Sequence, residues 1–215
     1  MLKNVENGSD SMNKIITISR LNGSGGREIG KILAEKLDIP FYDYEIIERA
    51  AEESGFAKEA FENAETKATS SFLYSIAMGM NTYGNQELGY NTLSLDDRIY
   101  LAQSEVIRKV AQEGPCVIVG RCADFVLRDM PNIVSVFIWA DIDFRIKRAM
   151  ERNELDEAKA KSQMKKIDKQ RRNYYNYRAN NKWGLSENYD LSIRSDKIGL
   201  ENVVKVIEAY IETKE

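Results

Sequence analysis

The chain has 215 residues, of which 43% are hydrophobic and 30% are charged, and its net charge is −3. This length allows one α/β domain with a full core and a small inserted lobe. The slightly acidic balance gives no basic field for nucleic acid, and no apolar run approaches the roughly 18 residues that cross a bilayer. We therefore expect neither a nucleic-acid-binding nor a membrane protein.

Scarce residue types restrict the available chemistry. Histidine is absent, which excludes histidine acid–base catalysis, histidine-activated nucleophiles and imidazole metal sites. Cys116 and Cys122 form neither a CxxC motif nor a disulfide framework, in agreement with a reducing compartment. The polar stretch 1–13 lacks the apolar core of a signal peptide, so we expect a flexible lead and a cytoplasmic protein.

The most informative segment joins the first predicted strand, 14–19, to a helix over about 26–37. Residues 20–28, which form the connecting loop and the first residues of the helix, read RLNGSGGRE. A strand, a glycine-rich loop and a helix in this order hold phosphates, because backbone N–H groups and the helix N-terminus face the anion. The alternative interpretation is a tight strand–helix turn without a ligand.

The loop departs from the usual phosphate-binding pattern, GxxxxGK followed by Ser or Thr. Aligned on that pattern, Arg20 stands at the first glycine and Gly26 at the lysine. The Ser or Thr position of the pattern falls on Glu28 or its neighbour. The glycine-rich geometry is kept, and the charged chemistry is altered.

Strands and helices alternate along the rest of the chain, which predicts a parallel sheet with right-handed crossovers. Ligands of such sheets bind beyond the carboxyl ends of the strands. The remaining strands are predicted at 40–43, 115–119, 133–139 and 189–194. The helices are predicted at 45–54, 95–112, 143–152, 154–177 and 200–211.

Three further clusters place charge near strand ends or on a helix. Asp43 opens a segment that runs to Arg49, which is either a helix N-cap with a solvated arginine or part of a site. Arg121 follows a buried strand, where a guanidinium suits phosphate, and the alternative is a surface pair with Asp124. The basic, Tyr-rich run 165–178 is a solvated helix face, a base-stacking surface or a lid that closes over a triphosphate.

In this order the segments resemble the cytidylate kinases, within the P-loop nucleoside-monophosphate kinases. The resemblance extends over residues 15–211. It rests on ITISRLNGSGGREIG, FYDYEIIER, CVIVGRCADFVL, DFRIKRAMER and IDKQRRNYYNYRANNKWGLSENYDLSI. It implies a three-layer P-loop NTPase fold with a central parallel sheet, in one kinase domain over 14–215. A helical acceptor-binding insertion at about 44–95 and a helical lid at about 154–185 are implied as well.

The resemblance also implies an activity and its residues. The implied reaction transfers the γ-phosphoryl of ATP, with Mg²⁺, to CMP or dCMP. The donor nucleotide would lie against Gly23, Ser24, Gly25, Gly26, Arg27, Glu28, Arg145 and Arg148. The acceptor would lie against Asp43, Arg49, Arg121 and Asp124. The transferring phosphoryl would be clamped by Arg27 and by the lid arginines Arg171, Arg172 and Arg178.

Two positions depart from the family pattern. Gly26 replaces the lysine, and Val119 replaces an acidic residue that usually helps hold hydrated magnesium. We expect Arg27 to compensate as the phosphate cation, and Glu28 to compensate as a direct or water-mediated magnesium ligand.

Two alternative functions stay open at this stage. The first is a kinase of the same fold with another small acceptor, because residues 56–95 differ from those of ordinary cytidylate kinases. The second is a nucleotide-binding protein with little turnover. The Tyr-rich stretch 72–90 is either acceptor-lobe core with a mobile loop or a homodimer interface.

Overall fold

The computed structural model describes residues 14–61, 93–179 and 181–213. Five strands form one parallel sheet in the order β2-β3-β1-β4-β5, so β1 lies at its centre. The strands are β1 Ile15–Arg20, β2 Phe41–Tyr42, β3 Cys116–Val119, β4 Ile133–Trp139 and β5 Leu191–Arg194. The predicted lead at 1–13 and the Tyr-rich stretch 72–90 lie outside the described residues.

Helices cover both faces of the sheet. They are α1 Gly26–Leu37, α2 Glu45–Ser54, α3 Leu95–Glu113, α4 Ala123–Val126, α5 Ile142–Asn153, α6 Glu157–Ala179, α7 Ser195–Ile198 and α8 Leu200–Thr213. A 3₁₀ turn, Ser186–Asn188, precedes β5. None of the helices in the described part of the chain combines the length and apolarity that a membrane crossing requires.

The alternating side chains of β1 explain the three layers. Ile15 packs into a core shared with α2 and α3, whereas Ile16 and Ile18 pack into a core shared with α1 and α8. All three isoleucines are at most 1% exposed. A strand covered on both faces is mostly apolar, and six of the seven residues of 133–139 are apolar, with Ser135 as the exception. The predicted three-layer α/β fold is confirmed.

The observed boundaries differ from the predicted ones mainly between α5 and α6. Residues 154–177 were expected to form one helix, but α6 begins at Glu157. Glu154 adopts a left-handed conformation with φ 53° and ends α5. Asp156 then caps α6, since its Oδ1 accepts the N–H of Lys159 at 2.8 Å. The two charged helices are therefore separate and pack against each other.

The C-terminal end of α6 is anchored to the start of α3 by Arg178. Its guanidinium forms an ion pair with Asp97 and donates a hydrogen bond to the carbonyl of Asp96 at 2.9 Å. It also lies 4.7 Å from the ring centroid of Tyr100 and 4.8 Å from that of Tyr177. Only 7% of the Arg178 side chain is exposed. This arginine therefore contributes to the packing between two helices.

We predict that Arg178→Ala lowers the free energy of unfolding by about 2–3 kcal/mol, because it removes a buried cation and leaves Asp97 without that partner. Chemical denaturation followed by circular dichroism measures the change. The control is Arg172→Ala, which removes an exposed arginine of the same helix and should change stability by less than about 0.5 kcal/mol. Equal losses in the two variants would contradict the anchoring role.

Candidate active site

A basic cavity of about 530 Å³ opens beyond the carboxyl end of β1. This volume is within the range of small-molecule sites. The cavity is lined by Arg20, Leu21, Asn22, Gly23, Gly25, Gly26, Arg27, Glu28, Lys31, Arg148, Glu151, Arg152 and Arg171. Six of these residues are basic and two are acidic, so the cavity suits an anionic ligand.

The loop between β1 and α1 is shaped by internal bonds. The buried hydroxyl of Ser24 lies 2.8 Å from the carbonyl oxygen of Leu21 and 3.1 Å from that of Ile138. The hydroxyl of Ser195 donates to the Ser24 carbonyl at 2.6 Å. Gly25 has φ +85°, and a Cβ there would lie 2.1 Å from Leu200 Cδ2, so this position requires glycine. The Ser24 side chain thus fixes the loop to the end of β4.

A buried ion pair fixes the middle of the loop. Asp168 of α6 accepts the N–H of Asn22 at 2.7 Å, and Arg145 of α5 donates Nε–H to the Asn22 carbonyl at 2.8 Å. Arg145 and Asp168 also pair with each other, with 9% and 11% of their side chains exposed. Arg145 was assigned to the donor nucleotide, and the structure places its guanidinium on the loop backbone, outside the residues that line the cavity.

The start of α1 offers backbone donors to the cavity. Gly25 is the N-cap and makes no side-chain cap, and Ile29 N–H is bonded to the Gly25 carbonyl at 2.9 Å. The N–H groups of Gly26, Arg27 and Glu28 precede this bond and belong to the unpaired first turn. Together with the helix dipole they make this end of α1 suited to an anion, and phosphate binding there remains a prediction.

Asp43, at the end of β2, lies between two arginines of the site. Its Oδ2 accepts a hydrogen bond from Arg27 Nε at 2.6 Å, and its Oδ1 lies 3.9 Å from Arg20 Nη2. The carboxylate side chain is only 4% exposed. The hydrogen bond to Asp43 raises the pKa of Arg27 above its ordinary value. The structure thus joins two residues that were assigned to different substrates.

Neither Asp43 nor the other predicted acceptor residues line the cavity. Arg49 forms a two-bond pair with Glu113, with nitrogen–oxygen distances of 2.7 and 3.3 Å. The Arg121 guanidinium carbon lies 6.0 Å from the ring centroid of Tyr44. Asp124 is 8% exposed and accepts the hydroxyl of Tyr175 at 2.7 Å. An acceptor role for Arg49, Arg121 and Asp124 remains a prediction.

The three lid arginines have different positions. Arg171 lines the cavity and donates Nη1–H to the Arg20 carbonyl at 3.2 Å. Arg172 is exposed and Arg178 is bound to α3, and neither lines the cavity. A clamping role of the lid therefore has the most direct structural support at Arg171.

The predicted magnesium ligand Glu28 is paired with Arg148, and both residues line the cavity. Within the described ranges no three acidic or cysteine side chains form a group suited to hold a metal ion. Mg²⁺ is commonly held by substrate phosphates and water with one or two carboxylates. Glu28 and Glu151 fit that limited role, and the ion would arrive with the nucleotide.

Sequence reasoning did not assign a role to Arg20, Lys31, Glu151 or Arg152, although all four line the cavity. Arg20 had a detectable signal, because it stands at a glycine position while Gly26 stands at the lysine position. The other three lie on exposed helix surfaces, where their spacing resembles that of any solvated helix.

A phosphate loop at the centre of a five-stranded parallel sheet, with a basic helical cover, defines the class of P-loop kinases. Residues 15–197 match the model of the cytidylate kinase-like family, and the chain belongs to this family. The predicted family and its phosphotransferase class are thereby confirmed. No curated protein matches the sequence.

Solved structures agree with this class. An uncharacterized protein from Eubacterium ventriosum has 33% sequence identity and a TM-score of 0.70, over 93% of this chain and 99% of that one. Shikimate kinases share the fold. The one from Bacteroides thetaiotaomicron has 14% identity and a TM-score of 0.52, over 93% of this chain and 98% of that one. The one from Acinetobacter baumannii has 12% identity and a TM-score of 0.52, over 95% of both chains.

We predict that Asp124 makes stability depend on pH. Burial raises the pKa of Asp124 to about 6 from its ordinary 3.8. Between these values the folded chain holds a proton that the unfolded chain has lost, so this group stabilises the fold less as pH rises. The free energy of unfolding of Asp124→Asn minus that of the native chain should therefore increase by about 2–2.5 kcal/mol from pH 4 to pH 7.

Denaturant titrations at several pH values measure this difference. The matched control is Asp129→Asn, which removes a carboxyl whose side chain is 85% exposed. Its stability profile should run parallel to that of the native chain. A parallel profile for Asp124→Asn as well would show that Asp124 titrates normally.

Proposed function

We propose that the protein transfers the γ-phosphoryl group of ATP to a nucleoside monophosphate, with CMP or dCMP as the acceptor. The observation that carries the proposal is the basic cavity at the start of α1, where backbone N–H groups and arginines from four elements converge. Membership of the cytidylate kinase-like family supports a nucleotide acceptor.

In the proposed reaction a phosphate oxygen of the acceptor attacks the γ-phosphorus in line. A new P–O bond forms while the bond to the β,γ-bridging oxygen breaks, and ADP leaves with that electron pair. An acceptor phosphate that is already dianionic releases no proton in this step. The protein then contributes positioning and charge neutralisation rather than a covalent intermediate.

The donor phosphates are proposed to bind at the loop and the first turn of α1. Arg148 and Arg171 approach from α5 and α6 and add positive charge around the transferring group. Mg²⁺ bound to the nucleotide would supply further charge neutralisation. For Glu28 to contact that ion, it must exchange its pairing with Arg148, which both side chains allow since they are 55% and 30% exposed.

The acceptor side is proposed to start at Asp43. The carboxylate holds Arg27 at the cavity rim, and in the proposal it thereby orients Arg27 toward a bound phosphate. In this arrangement Asp43 acts as a positioning residue for Arg27. Arg49 would bind the acceptor phosphate only after release from Glu113, so its contribution depends on acceptor binding.

A second candidate function keeps the kinase fold with a different acceptor. It is favoured by the placement of Arg49, Arg121 and Asp124 outside the cavity. Small hydroxylated acids belong among the acceptors to be tested, because the fold is shared with shikimate kinases.

We predict MgATP binding and acceptor-dependent ADP formation. Calorimetry measures nucleotide binding, and separation of the products measures turnover with CMP, dCMP, UMP, AMP, GMP and shikimate. The proposal expects the highest kcat/KM with CMP or dCMP. Product from shikimate alone would select the second candidate. Binding without product from any acceptor would identify a nucleotide-binding protein with little turnover.

Asp43→Asn should lower kcat at least about tenfold, because the amide cannot hold Arg27 through a charged pair. The division of the effect between kcat and the KM for ATP reports whether the orientation of Arg27 has changed. The matched control is Glu53→Gln, which neutralises an exposed carboxylate paired with Lys109 and should leave kcat unchanged. Equal kcat values for Asp43→Asn and the native enzyme would contradict the positioning role.

A further inference from the structure

The side chain of Arg20 occupies the space above the first residue of α1. A Cβ built on Gly26 would lie 2.5 Å from Arg20 Cβ and 3.0 Å from Arg20 Cγ. Contacts under 3.0 Å between carbon atoms are not tolerated without movement. An arginine at position 20 and a lysine at position 26 therefore exclude each other in this backbone.

The same side chain continues across the end of the neighbouring strand. A Cβ built on Gly120, directly after β3, would lie 2.1 Å from Arg20 Nη1. Beyond Gly120 the guanidinium reaches Asp43 at the end of β2, with 3.9 Å between Nη2 and Oδ1. Two glycines thus form the channel in which Arg20 lies, and a carboxylate stands at its far end.

We propose that Arg20 is the catalytic cation that binds the donor phosphates, in the role that a lysine at position 26 usually has. The proposal rests on the phosphotransfer proposed above and assigns the cation of that site. The positive charge thus lies at the end of β1 instead of the start of α1. Gly26 leaves the space that the Arg20 side chain occupies.

Arg20 is better placed for this role than Arg27. The Arg20 side chain is 17% exposed, whereas that of Arg27 is 56% exposed. A charge in a partly enclosed site interacts more strongly with a phosphate than a charge at the rim. Arg27 also makes the shorter contact to Asp43, 2.6 Å against 3.9 Å. Asp43 is therefore closer to Arg27 than to Arg20.

The backbone of Arg20 is also bonded to α6, the helix that carries Arg171. Its carbonyl accepts a hydrogen bond from Arg171 Nη1 at 3.2 Å, and both residues line the cavity. The Arg171 guanidinium therefore contacts the backbone of the residue whose own guanidinium lies beside Asp43. A guanidinium presents parallel N–H donors that match two phosphate oxygens, whereas a lysine offers a point charge.

The test exchanges the two positions. Arg20→Gly should lower kcat/KM for ATP by about 100-fold, the typical effect of removing one donor to a developing charge. Arg20→Gly combined with Gly26→Lys restores the usual GxxxxGK pattern and should regain at least tenfold over Arg20→Gly. Gly26→Lys alone should lose activity, because the lysine meets Arg20. Arg20→Lys should be intermediate, since it keeps the charge and loses the paired donors.

Two measurements separate this inference from the proposed function. Calorimetry with MgATP alone reports donor binding without an acceptor, and thermal melting reports folding. Arg20→Gly should weaken MgATP binding at least tenfold. The matched control Arg128→Ala removes an exposed arginine beside the Phe125 ring and should leave binding unchanged.

If the native chain binds MgATP but forms no product, the proposed function fails while the binding data still decide the role of Arg20. Native affinity and turnover in a folded Arg20→Gly variant would overturn the inference. No gain in the double variant over Arg20→Gly would overturn it as well, since a purely structural arginine would not be replaced by a lysine at position 26.

Discussion

The buried pair of Arg145 and Asp168 holds the site together. Each residue bonds the backbone of Asn22 from its own helix, one at the carbonyl and one at the N–H. The pair therefore fixes the loop and at the same time joins α5 to α6. Removing one partner of such a pair leaves a buried charge uncompensated, which costs more than the pair itself contributes. The shape of the cavity follows from this arrangement, because α5, α6 and the loop form most of its wall.

The electrostatics of the site consist of many cations and few, specifically placed carboxylates. Asp43 neutralises part of the charge of Arg20 and Arg27, and Glu28 neutralises part of that of Arg148. These ion pairs restrict the conformations of the arginine side chains. A nucleoside triphosphate can then compete with the carboxylates for donors that are already positioned. This arrangement avoids much of the entropic cost of ordering long side chains on binding. Hence a chain with a net charge of −3 can still present a strongly basic cavity.

Most of the fold could be predicted from the sequence, because its signals are local. The helix limits of α1 and α2 and the limits of β4 agree with the predicted ones. The break between α5 and α6 was predicted, but its length was not, since a left-handed glutamate at position 154 has no signature in a run of charged residues. Arg49 illustrates the same limit at the site, because its pairing with Glu113 depends on a residue 64 positions away.

The sequence by itself determined the order of strands and helices, the phosphate loop and the altered charges within it. These features depend on neighbours in the chain, such as apolar periodicity and glycines at a strand–helix turn. Only the tertiary structure decided which arginines surround the cavity and which support it. Arg145 faces the loop backbone, whereas Arg20 crosses Gly120 to reach Asp43. The orientation of each side chain depends on contacts with residues that are distant in the sequence. These partners become neighbours only when the sheet has formed.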